Sequence, residues 1–290
     1  MPITYSPLRY PGGKSQLYKF VRNVIEQNGI ENPVYVEPFA GGAGLAIELL
    51  LKENVHSIVI NDFDRAIYSF WYSVLNDPEN LINLILNTPI NIEEWERQRE
   101  VYNNQHNYGT LEIGFATFFL NRTNRSGIIK GGPISKDENG KYPLDCRYNS
   151  SDLVNKVRRI FTLRDRIQLY NHDAVYFIQR ILPNYVANQL FIFFDPPYYK
   201  QGKNLYTNFY SHDDHRELSE AIRGIVNSHW ITTYDYTDNI AEIYEDMPTK
   251  VYQLQYSANR KRKEREYLFH NNRTVVTSFD KVQFLEQIEG

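Results

Sequence analysis

Gln189–Phe194 reads QLFIFF, an apolar run with no polar alternation, and Asp195-Pro196-Pro197-Tyr198 follows at once. A strand with one face in water alternates apolar and polar residues. A continuous apolar run needs cover on both faces, which is the environment of a central parallel strand. The two prolines then end the ladder, because each lacks an N–H and fixes φ. The chain is therefore expected to build an α/β, doubly wound sheet, whose ligands bind outside the carboxyl ends of its strands.

The rest of the sequence follows that rhythm for much of its length. Gly13–Asn28 reads as a helix ended by Gly29, and Val34–Phe39 as a short apolar strand. A glycine-opened helix over Ala43–Lys52, a strand over His56–Ile60 and an aromatic-rich helix from Asp64 to Asn76 come next. His229–Tyr234 is another strand, and Val251–Tyr256 with Tyr267–His270 is expected to form a closing pair. From Thr88 to Leu163 the rhythm lapses into polar helix-prone stretches and a Gly/Pro/Asn-rich segment, with an Asn-Gly hairpin turn expected at Asp137–Lys141. The expected division is a body of residues 1–88 and 164–290, interrupted by an inserted second domain over 89–163.

Charge has to be read along the chain. The total over 290 residues is −3, which taken alone argues against a nucleic-acid partner. Yet Asn121–Arg166 holds 11 Lys/Arg against 5 Asp/Glu, a local +6, leaving −9 for the remainder. No apolar run approaches the roughly 18 residues of a membrane helix, and the opening MPITYSPLRYPGGK has no signal-like apolar core. The single cysteine, Cys146, forms no internal disulfide and no thiolate metal site, so a reducing cytoplasm is expected.

Three stretches carry chemistry. Glu37-Pro-Phe39-Ala-Gly41-Gly-Ala-Gly44 joins a strand to a helix through glycines, which allow a sharp turn and close approach of a ligand; it is not the dinucleotide G-x-G-x-x-G. Asn61-Asp62 ends the next strand, where a carboxylate can accept the hydroxyls of a ribose or cap a helix. In Asp195-Pro196-Pro197-Tyr198, the Asp195 carboxylate and Pro196 carbonyl can both accept hydrogens from one exocyclic NH₂, while Tyr198 offers a flat face to a base.

Leu8-Arg-Tyr-Pro-Gly-Gly-Lys14, FAGGAG, Asn61-Asp62 and DPPY, in that order, resemble the Dam-type DNA adenine-N6 methyltransferases, as does Phe119-Leu-Asn-Arg122. The resemblance covers most of the chain and has the order of the α group, D12 class. It implies a Rossmann-like methyltransferase sheet that uses S-adenosylmethionine, with an inserted helical and hairpin DNA-recognition domain. By match, Tyr10, Lys14 and Gly41 would touch the cofactor, Glu37 and Phe39 would line its methionine end, Asp62 would hold the ribose and Asp173 the adenine. Asp195 would lie beside both cofactor and target amine, with Pro196, Pro197 and Tyr198 completing the catalytic set. Double-stranded DNA would be met by Arg9, Asn121, Arg122, Arg125, Ser126, Lys130 and Arg147. Tyr10 stands where many relatives have tryptophan. Relatives reading GATC resemble Y-N-G-L-x-R where this chain has Arg125-Ser-Gly127-Ile-Ile-Lys130, and lysine does not replace arginine in bidentate guanine reading, which argues against GATC. A monomer, with a cognate restriction endonuclease as its counterpart, is the expectation for partners.

Other signals read more plainly. Pro11-Gly-Gly-Lys14-Ser15 lacks the first glycine of a phosphate loop, and Ser211 with Asp214 reads as a helix cap rather than part of a His212/His215 metal site; no metal is expected. Asn259–Arg265 (NRKRKER) reads either as a phosphate-gripping or as a solvated loop between the last two strands. N4-cytosine methylation presents the same amine geometry and is the near rival; a catalytically idle DNA-binding relative is the rival of another class.

Overall fold

The structure is a computed structural model that describes residues 4–9, 14–135, 142–200, 210–256 and 262–285. Seven strands form one sheet in the order β3-β2-β1-β4-β5-β7-β6, with β1 at Val34–Glu37, β2 at Ser57–Asn61, β3 at Ile167–Tyr170, β4 at Leu190–Phe194, β5 at His229–Asp235, β6 at Thr249–Tyr256 and β7 at Arg262–His270. The first five run parallel, and β7 enters antiparallel between β5 and β6. The strand order reverses between β1 and β4, the switch point at which such sheets open a crevice.

The apolar strands feed two cores. On β4, Phe191 and Phe193 enter one core, while Leu190, Ile192 and Phe194 enter the other. The first core is covered by α1 (Tyr18–Gln27), α2 (Gly44–Leu51), α3 (Arg65–Asn76) and α4 (Pro78–Asn87). Segment 89–163 adds α5 (Ile92–Asn103), α6 (Thr110–Thr123) and α7 (Ser150–Phe161). Phe118 of α6 stacks on Phe70 of α3 at 5.9 Å, and Gly114 brings the two helices together: a Cβ there would meet the Ser69 carbonyl oxygen at 2.5 Å. The second core is covered by α8 (Ala174–Tyr176) with its π-turn extension over Phe177–Ile181, then α9 (His212–Arg223) and α10 (Asp238–Ile243).

The α/β reading of the sequence holds, with local corrections. The first helix starts as a 3₁₀ turn at Lys14–Leu17. The final pair is longer than expected, because β6 pairs through Tyr256 with Arg262. Arg262–Arg265 of the basic run are therefore strand, held in the ladder, not loop. Ser211 and Asp214 form the expected capping box on α9. The Asn-Gly turn falls within 136–141, outside the described residues. Among the described residues, no helix is long and apolar enough to cross a membrane, and no cluster of metal-ligating side chains occurs.

Candidate active site

Acidic residues stand at or just beyond the carboxyl ends of β1, β2, β3 and β4: Glu37, Asp62, Asp173 and Asp195. After β1 the glycine turn takes left-handed backbone at Gly41 (φ 47°) and Ala43 (φ 44°). The turn is held from two sides. Asp62 accepts the Gly41 N–H at 2.7 Å, and the Trp71 indole donates to the Gly41 carbonyl at 2.9 Å. Asn61, fully buried, donates to the Pro38 and His172 carbonyls and accepts the His172 N–H, tying the β1 and β3 exits together.

Burial sets the charge state of this rim. Desolvation pushes the Glu37 carboxyl up to about 8, against the opposing help of the Tyr35 hydroxyl, which donates to it at 2.9 Å, and of the Ala46 N–H at the start of α2. Desolvation also pushes Asp62 up to about 7, with the neighbouring Asp64 charge adding to it. Neither carboxylate has an ion-pair partner among the described residues. A buried and a half-buried carboxylate beside a glycine turn, with no ion-pair partner among the described residues, suit a ligand that brings a positive charge and hydroxyl donors. Phe39 is half-buried and meets Tyr210 edge-on at 6.1 Å. Asp173 is exposed and caps α8, accepting the Val175 and Tyr176 N–H groups through one oxygen. Tyr10 lies outside the described residues.

Asp195 follows β4 with Pro196 and Pro197 buried behind it. Its Oδ1 accepts the Thr233 hydroxyl at 3.0 Å and pairs with Lys14 Nζ at 3.3 Å. Desolvation raises its pKa, and the nearby Glu266 charge adds to the rise; Lys14 and Thr233 oppose them. Lys14 is thus turned inward: its Nζ also donates to Tyr198 Oη at 2.5 Å and lies 3.4 Å from Glu266 Oε2. The Tyr198 hydroxyl donates to Glu266 Oε1 at 2.7 Å, leaving the ring half-exposed. One residue further on, Asp235 at the end of β5 accepts the Tyr199 and Lys200 N–H groups, both at 2.9 Å.

The residues expected at DNA divide into two layers. Arg125, Ser126, Lys130 and Arg147 are exposed, and Arg9 is half-buried. Asn121 and Arg122 lie beneath that layer, because α6 buries both side chains. Asn121 bonds both backbone groups of Arg9 and the Gly127 carbonyl. Arg122 donates to the Pro7 carbonyl at 2.7 Å and to the Arg147 carbonyl at 3.4 Å; burial pulls its pKa down to about 10. Gly127, at φ 76°, packs so closely on Arg9 that a Cβ would lie 2.4 Å from the Arg9 carbonyl oxygen. Asn124, buried at the end of α6, donates to the Ile128 and Ile129 carbonyls and accepts from the Trp95 indole, fixing the loop that carries Arg125 and Lys130.

Glu266, Tyr252, Thr233 and Asp235 join this site without having been singled out in the sequence. Glu266 carried a signal: it is an acid inside EREYLFH, one residue before the stretch read as strand.

Residues 10–267 match the family model of the D12 class N6 adenine-specific DNA methyltransferases. A Type II methyltransferase of Methanocaldococcus jannaschii, M.MjaIII, is 23% identical over 226 residues, 71% of this chain and 75% of that one. Two solved structures are also similar to this chain. The rRNA methyltransferase aviRa of Streptomyces viridochromogenes has a TM-score of 0.39 and 10% identity, over 90% of this chain and 86% of that one. A SAM-dependent methyltransferase of Agrobacterium tumefaciens has a TM-score of 0.42 and 10% identity, over 89% of this chain and 60% of that one.

Proposed function

The chain belongs to the D12 class of N6-adenine-specific DNA methyltransferases, and from that premise we propose how its own residues share the work. The enzyme transfers a methyl group from S-adenosylmethionine to adenine in DNA. When bound, S-adenosylmethionine supplies an electrophilic methyl on a sulfonium. Buried Glu37 and half-buried Asp62 fit that cofactor, because neither has an ion-pair partner among the described residues and both stand beside the Gly41 turn. Phe39 and Asp173 complete its pocket in this reading, as does Tyr10, while Lys14 acts from behind Asp195.

Asp195 carries the chemistry in this reading, and its setting is the observation that supports it. Its Oδ1 is occupied by Thr233 and Lys14, which orients Oδ2 as an acceptor beside a proline-fixed backbone. With the target adenine flipped out of the stack, at a cost of a few kcal/mol, Asp195 and the Pro196 carbonyl accept the two N6 hydrogens. That draws the nitrogen lone pair out of conjugation and aims it along the line of attack. As the nitrogen gains the methyl that the sulfonium would give up, Asp195 would take the proton that the amine sheds. Tyr198, its hydroxyl tethered to Glu266, presents its ring to the base.

Segment 89–163 serves as the recognition unit. Exposed Arg125, Ser126, Lys130 and Arg147 meet the duplex, phosphate contacts positioning and base edges specifying; Asn121 and Arg122 shape that surface from below. We further propose a cytoplasmic monomer whose counterpart is a restriction endonuclease of the same recognition sequence, a reading supported by the Type II relative. The test is methylation of mixed-sequence duplex DNA followed by nucleoside digestion. N6-methyladenine is expected from the parent and none from Asp195→Ala, which still binds DNA; an active Asp195→Ala enzyme overturns the proposal.

A further inference from the structure

Lys14 Nζ lies nearly midway between two carboxylates, 3.3 Å from Asp195 Oδ1 and 3.4 Å from Glu266 Oε2. The Glu266 side chain is only 1% exposed, and it also takes the hydroxyls of Tyr198 at 2.7 Å and Tyr252 at 2.5 Å. Lys14 is thus shared between the half-buried Asp195 carboxylate and the buried Glu266 carboxylate. Glu266 arrives from β7, the strand inserted antiparallel beside β5, and reaches a lysine 252 positions away in the sequence.

We infer that Glu266 is a positioning residue for methyl transfer: by sharing Lys14 with Asp195, and by tethering Tyr198, it keeps Asp195 a strong hydrogen acceptor for the target amine. The inference rests on the role given to Asp195 above. Were Glu266 uncharged, it would no longer compete with Asp195 for Lys14. More of the ammonium charge would then bear on the Asp195 carboxylate that must draw in the amine hydrogens, and the efficiency of such an acceptor follows its basicity. Tyr198 would at the same time lose its anionic anchor.

Among the described residues, the groups facing Asp195 from the elements around it are Lys14 from the 3₁₀ turn, Glu37 and the Tyr35 phenol from β1, Glu266 from β7 and the neutral Thr233 from β5. Of these, Glu266 holds the Asp195 proton on and Lys14 drives it off. Activity that needs ionised Asp195 is lost as pH falls through its pKa, so removing the Glu266 charge shifts that acid limb to lower pH.

Single-turnover methylation of an adenine-containing duplex across pH tests this. Glu266→Gln is expected to slow transfer roughly tenfold on the plateau, to move the acid limb downward and to leave cofactor affinity within about threefold. Glu266→Asp, which withdraws the carboxylate by one methylene, is expected to give a smaller shift of the same sign. Tyr252→Phe, which keeps the charge, is expected to leave the limb in place. A Glu266→Gln profile superimposed on the parent's overturns the inference. If that variant does not fold, an unshifted limb in Glu266→Asp does so instead. Failure here is separable from failure of the underlying reading, since an active Asp195→Ala enzyme would remove the reading itself.

Discussion

The carboxamide of Asn121 bonds Arg9 twice: its Oδ1 accepts the Arg9 N–H at 2.7 Å and its Nδ2 donates to the Arg9 carbonyl at 2.7 Å, across 112 residues of sequence. A buried amide used this way replaces a strand partner for one residue. It fixes Arg9 against the end of α6, so the Arg9 backbone and the loop that carries the exposed basic residues are held by one side chain.

Asn121→Ala removes three hydrogen bonds, one buried and two part-buried, and leaves backbone groups of Arg9 and Gly127 unsatisfied. At about 1–3 kcal/mol for a buried group left without a partner, urea denaturation is expected to show a loss of about 2 kcal/mol or more. KM for DNA is expected to rise while cofactor affinity stays near the parent's. An unchanged denaturation midpoint would contradict the supporting role.

Gly127 admits no side chain. Its φ of 76° disfavours any L residue, and a methyl group would press on the Arg9 carbonyl at 2.4 Å. Gly127→Ala is expected to cost about 1–2 kcal/mol for the left-handed backbone and more from the overlap. Weakened DNA binding should accompany the drop in melting temperature.

Exposed and buried arginines of the same region should separate cleanly. Arg125→Ala and Lys130→Ala are expected to leave the melting temperature unchanged and to weaken DNA binding. Each phosphate no longer gripped should reduce the magnitude of the salt-dependence slope by about one. Arg122→Ala is expected to lower the melting temperature, since it empties a buried site and orphans the Pro7 carbonyl. Titrations of DNA binding against salt, with thermal melts alongside, check all three.

Glu37 makes both stability and cofactor binding depend on pH. Its carboxyl is raised from about 4.5 to about 8 in the folded chain, so folding favours its protonated form. The stabilisation this gives is complete below the unfolded pKa and is lost as pH rises through about 8. Glu37→Gln is therefore expected to melt higher than the parent above pH 8, with the difference vanishing near pH 4. A cationic cofactor selects the ionised form, so binding at pH 7 is expected to release protons, seen as a buffer-dependent heat in calorimetry and diminished in Glu37→Gln.

What could be read from the sequence was local. The apolar run of β4 and the acids Glu37, Asp62 and Asp195 after their strands sit next to the patterns that reveal them. Glu266 could not be read so easily, because its meaning comes from Lys14 and because it ends a run of five consecutive charged residues that open its strand. Asn121 and Arg122 carry the chemistry of DNA contacts, and only the packing of α6 on the body turns them inward. Asp173 shows the reverse case, an expected adenine contact that uses one oxygen to cap α8 and keeps the other exposed side open.

The buried carboxamide of Asn61 spans the exits of β1 and β3. Any movement of the Pro38 side of the crevice must carry the His172 side with it, so the two walls travel as one rigid jaw. A ligand entering there meets a shape set in advance, and the entropy of forming that shape has already been spent in folding.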